Sequence, residues 1–151
     1  MSRYLLHILL AALAAGCQLS PDLPEGWEDA EPVSSLVQAE CDGDPYDGAE
    51  GFLEASAAAG EVVVTYGDAH FRCAQDVEAF YRLEGAVLSI LVQPIDMDPK
   101  NVAACDCLYD VDLTVDGLDA GALTVELFRR WDNINDPNDP ELVDSVELGS
   151  E

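Results

Sequence analysis

Along residues 105–128 (CDCLYDVDLTVDGLDAGALTVELF), apolar and polar side chains alternate with a period of two. Cys105, Cys107, Tyr109, Val111, Leu113 and Val115 take the odd positions, while Asp106, Asp110, Asp112, Thr114 and Asp116 take most of the even ones. Successive side chains of a strand point to opposite faces, so this pattern predicts a core-facing row, both cysteines included, backed by a wet row. Residues 117–121 (GLDAG) break the run, and Leu123, Val125 and Leu127 resume it, which predicts two antiparallel strands joined as a hairpin.

The same reasoning extends outward from that pair. The β-branched run Val62, Val63, Val64, Thr65 predicts a strand, forming a first hairpin with residues 52–57. Residues 86–93 (AVLSILVQ) are almost wholly apolar, as a strand buried on both faces would be, and Pro94 and Pro99 close it. Residues 74–82 fit a helical or a strand period equally well. Leu142, Val143, Val146 and Leu148 mark a last strand after a turn-rich loop, DNINDPNDPE. Six or seven strands at short intervals, with no long helix, predict an all-β fold, a small antiparallel β-sandwich. The turn from Leu118 to Gly121 ahead of a core strand resembles immunoglobulin-like domains of exported bacterial proteins. Leu123 stands where those domains often carry the corner tyrosine.

The first residues follow a different logic. Residues 1–15 (MSRYLLHILLAALAA) place one Arg before an apolar run too short to span a membrane, ending in Gly16 and Cys17. A small-residue box immediately before a cysteine resembles the bacterial lipoprotein signal, with Ala14 where Leu is commonest in that family. The resemblance implies cleavage before Cys17 and acylation of Cys17, hence a membrane anchor. Gln18, rather than Asp, follows Cys17, which by resemblance to Gram-negative lipoproteins implies the outer membrane, periplasmic or surface-facing. The domain boundaries expected are a signal peptide over 1–16, an acylated cysteine and acidic tether over 17–40, and a sandwich over 41–151. Residues 18–40 are rich in Pro, Ser and acid without a sustained period, so they predict a flexible spacer.

Charge narrows the partners. The chain has 31 acidic residues against 6 basic ones, and one of the six, Arg3, lies in the leader. Such a body repels phosphate backbones, which excludes nucleic acid, and it has no affinity of its own for anionic lipid. The 49% hydrophobic content, arranged in alternating runs, argues for a folded domain over disorder.

Four cysteines remain beyond Cys17: Cys41, Cys73, Cys105 and Cys107. An even count in an exported chain predicts two disulfides. Cys105 and Cys107 would strain a bridge between themselves, so each is expected to reach a different partner, one Cys73 and one Cys41, in either order. The competing chemistry is a metal. His70, Cys73, Cys105 and Cys107 supply four soft ligands for zinc. Asp42, Asp44 and Asp47, or the loop bearing Asp132, Asn133, Asn135, Asp136, Asn138 and Asp139, supply oxygens for calcium, although neither run matches a helix-flanked calcium loop. The chain contains no nucleophile elbow, zinc-protease helix or phosphate-cradling Gly loop, so no catalytic residue and no cofactor are assigned. The expectation is a lipid-anchored envelope protein with a structural or protein-binding role, against an envelope metal-binding protein.

Overall fold

The computed structural model describes residues 22–96, 103–118, 121–131 and 139–149. The leader, Cys17 and most of the Asp/Asn loop lie outside these. Among the described residues nine strands make two packed sheets, an all-β sandwich. The five-stranded sheet has the order β1(Glu31–Pro32), β5(Val77–Glu84), β6(Val87–Pro94), β8(Leu123–Arg129), β9(Glu141–Leu148). The four-stranded sheet runs β2(Ser35–Gln38), β7(Asp106–Asp116), β4(Glu61–Arg72), β3(Phe52–Ala58). The ambiguous stretch after Cys73 is therefore a strand. β6 is buried at seven of its eight positions, as a strand central to its sheet requires.

Alternation places β7 correctly. Cys107, Tyr109, Val111, Leu113 and Val115 are buried while Asp110, Asp112 and Asp116 are exposed. They meet Val62, Val64 and Tyr66 of β4 and Ile90, Val92, Val125 and Leu127 of the facing sheet in one core. Cys105 departs from the expectation: it is exposed, because the strand begins only at Asp106.

Two expectations about connection are corrected. β7 and β8 do not pair as a hairpin; they belong to different sheets, and the Gly-rich connection between them crosses the sandwich. The chain descends in β6, rises in β7 in the other sheet and descends again in β8. β8 therefore lies parallel to β6, with Leu88 beside Val125 and Ile90 beside Leu127, so the sandwich is not wholly antiparallel. Alternation assigns a face to each side chain and leaves the partner strand open.

The third correction concerns residues 18–40. From Asp22 onward this stretch is part of the sandwich rather than a spacer. β1 pairs with β5 and β2 with β7, so one extended run changes sheets between Pro32 and Ser35. Before it, Trp27 packs on the outer face of the five-stranded sheet and is only 4% exposed. Its ring meets Phe128 edge-on, with centroids 5.6 Å apart, and the guanidinium of Arg82 lies 4.5 Å from the Trp27 centroid. Beneath this cover runs a cross-strand row, Phe80, Leu91 and Phe128, on the face opposite the main core. Proline and acid dominate the composition here, but one tryptophan over an apolar row outweighs them.

Candidate functional site

The strand directions gather one end of the sandwich from the close of β4, β6 and β8 and the start of β5, β7 and β9. All four cysteines lie at this end. Cys41 is joined to Cys107 and Cys73 to Cys105, with Cα–Cα distances of 5.8 and 5.5 Å. The first bridge ties the segment after β2 to β7, and the second ties the exit of β4 to the approach to β7. Closing loops of 66 and 32 residues, they restrict the unfolded chain by about 4 kcal/mol each on chain-entropy grounds.

A β-bulge decides what else arrives here. Between Tyr66 and Ala69 the register of β4 against β7 slips by one residue: Tyr66 faces Val111, and Ala69 faces Tyr109. Asp68 takes a left-handed conformation, φ 51°, inside the slip. Inward positions thus change parity, from Val62, Val64 and Tyr66 to Ala69 and Phe71. His70 and Arg72 consequently turn to the outer face, beside Asp106. The trace of this in the sequence is the break of the even-numbered apolar run at Gly67-Asp68. Phe52, the cross-strand partner of Gly67, fills the missing side chain's place: a Cβ at Gly67 would lie 2.0 Å from its ring.

Asp106 is the hub of the cluster. Arg72 donates to its carboxylate at 2.8 Å, and the Tyr46 hydroxyl donates to the other oxygen. Nε2 of His70 stands 3.6 Å from the same carboxylate, beyond hydrogen-bond reach. Tyr46 is presented by a single 3-10 turn, Pro45–Asp47, whose N-cap Asp44 accepts from the Tyr46 N–H. Trp131, just past β8, closes the other side. Its ring lies 4.6 Å from His70, stacks on Phe71 and takes the Arg129 guanidinium at 5.0 Å, while Arg129 also donates to Glu141 at 3.0 Å.

Burial pushes the Asp106 carboxyl up, but the Tyr46 hydroxyl and the Arg72 guanidinium together pull it below the usual aspartate value. Burial lowers the His70 imidazole, Asp106 opposes that, and Arg129 adds to it, leaving the histidine below its ordinary value. The bond to Asp106 raises the Tyr46 phenol. The cluster is an ionised carboxylate satisfied by a cation and a phenol, with a neutral imidazole beside it.

The zinc set does not assemble in this state. Cys73, Cys105 and Cys107 are all in disulfides and have no thiolate to offer. The calcium run is divided: Asp44 caps the turn, whereas Asp42 lines an open groove of about 560 Å³ with Glu40, Asp68 and Asp110. Asp132, Asn133, Asn135, Asp136 and Asn138 lie outside the described residues. Among the described residues no three His, Cys, Asp or Glu converge as a metal site. Sequence reasoning passed over Asp106, Arg72, Tyr46 and Trp131, because they meet across four separate segments.

At the same end the described chain is fastened down. The Asp22 carbonyl accepts from Gln93 at 3.1 Å and from Arg130, and its carboxylate lies 3.4 Å from Arg130. Gln38 stitches the sheets together: its amide donates to the Gln75 carbonyl at 2.9 Å and accepts from the Val77 N–H at 3.0 Å.

No protein-family model, curated protein or solved structure matches this chain.

Proposed function

We propose that this is an exported protein, lipid-anchored through Cys17 to the outer membrane of a cell envelope, where its sandwich has a structural or protein-binding role. The observation that carries the reading is the pair of disulfides, since such bridges form and persist in oxidising compartments outside the cytosol. Among the described residues no helix is long and apolar enough to cross a membrane.

The outer face of the four-stranded sheet supports a binding role. Val37 and Val63 stand exposed there among Asp112, Thr65, Thr114 and Glu54.

The test is the intact mass of protein extracted from membranes. An amino terminus at Cys17 carrying acyl chains is the expected result, together with loss of Cys17→Ala from the detergent phase. An unmodified Cys17, or a Cys17→Ala protein still in that phase, would refute the anchor.

A further inference from the structure

We infer that the cysteine end of the sandwich is apposed to the lipid surface, with Tyr46, Ile95 and Leu142 at headgroup level. This rests on the anchoring of Cys17 proposed above.

Covalent reach comes first. Asp22 is five residues after Cys17, and that length of chain spans at most about 18 Å fully extended. Asp22 is itself held at the cysteine end by Gln93 and Arg130. The sandwich is longer than this reach: the 12 residues of β4 extend about 40 Å. An anchored chain therefore keeps the cysteine end within that reach of the bilayer and cannot bring the opposite end, with its turns at Gly60 and Gly85, to the surface alone.

Surface chemistry favours an end-on contact over a sideways one. The outer face of the five-stranded sheet is occupied by the Trp27 segment. That of the four-stranded sheet is acidic, with Glu54, Glu61, Asp110, Asp112 and Asp116. Among the described residues, the large apolar side chains more than half exposed are Val37, Tyr46, Ile95 and Leu142, at 63, 76, 61 and 54%. Three of these four are at the cysteine end. Tyr46 flanks Asp106 there, Ile95 bonds to the Asp76 carbonyl just before β5, and Leu142 opens β9. Arg72, Arg129 and Arg130 are at this end too, paired with Asp106, Glu141 and Asp22, so that three of its carboxylates are neutralised. A tyrosine and two aliphatic side chains among arginines suit the boundary between headgroups and acyl chains.

The inference is tested on the full chain in its own membranes with a phospholipid carrying a photoreactive group near the headgroup, followed by peptide mapping. Peptides containing Tyr46, Ile95 and Leu142 should be labelled several-fold more than those containing Gly60 and Gly85. The double variant Ile95→Asp, Leu142→Asp should lose most of that labelling yet stay in the detergent phase. Labelling spread evenly, or concentrated at the Gly60 and Gly85 turns, in protein that remains anchored overturns the apposition and leaves the anchor standing. Retention of Cys17→Ala in the detergent phase removes the anchor and this inference with it.

Discussion

Trp27→Ala separates a structural segment from a passive spacer. The side chain is 4% exposed, contacts Phe128 and carries the Arg82 guanidinium on its face. Truncating a buried tryptophan costs about 3–5 kcal/mol, the spread reflecting how far the site can collapse. Trp27 lies on a segment held by few strand pairs, which can relax over the gap, so the low end, about 3 kcal/mol, is expected here. Against a total of about 5–15 kcal/mol for a domain this size, that is a large fraction. It should lower the melting temperature by about 10 °C. The assay is urea unfolding with both disulfides intact, followed by the emission of the remaining Trp131. The midpoint should fall with little change in slope, because the core still unfolds as one unit. A loss below about 0.5 kcal/mol, the range of ordinary surface substitutions, would refute the reasoning and return residues 22–30 to the status of a tether.

Leu113→Asp places a charge at a position 1% exposed and should prevent folding, measured as loss of the cooperative transition. Asp112→Leu, on the wet face where Asp112 accepts from the Thr65 hydroxyl at 2.7 Å, should cost no more than about 1 kcal/mol. Gln38→Ala strands the Val77 N–H and the Gln75 carbonyl and should cost about 2 kcal/mol in the same denaturation assay. For pH, the His70 imidazole is depressed in the folded state, so its contribution is present above the ordinary value of 6.5 and is lost as pH falls through the folded value. Asp106, also depressed, repeats this below 3.8. Stability should therefore decline in two stages on acidification, and His70→Gln should remove the upper one. Stepwise reduction with alkylation and peptide mapping should open Cys73–Cys105 first, because neither partner is buried, whereas Cys107 is fully enclosed.

Much of the sandwich was legible because it is written in single strands. The alternation of 106–116, the continuous run of 87–94 and the β-branched 62–65 each declare burial without reference to anything distant. What was not legible depends on relations between strands. Val125 and Leu127 look the same whether their strand turns back on β7 or crosses to lie beside β6. The Trp27 segment was hidden by composition, since acid and proline signal solvation and a single aromatic anchor does not disturb that average. The cluster around Asp106 was hidden by the bulge. Continuing the parity of Val62 and Val64 sends His70 and Arg72 to the core, and only the extra residue at Gly67-Asp68 turns them outward. Cysteine count and strand geometry limited the bridges to two arrangements, and the choice between them required the path of the chain after Gln38.

The sheet-switching run from Glu31 to Gln38 has a mechanical consequence. Force applied to the chain ahead of Asp22 loads the clasp at Arg130 and Gln93 first, then Trp27, then β1 and β2, whose ladders yield one pair at a time like a strip of tape. Peeling halts at Cys41, where the bond to Cys107 carries the load directly into the middle of the four-stranded sheet. The 18 residues between Asp22 and Cys41 allow a fully extended contour of about 65 Å from Asp22 to that stop. A body pulled on its leash therefore lengthens before it unfolds, and the two sheets behind the stop keep their core while it does.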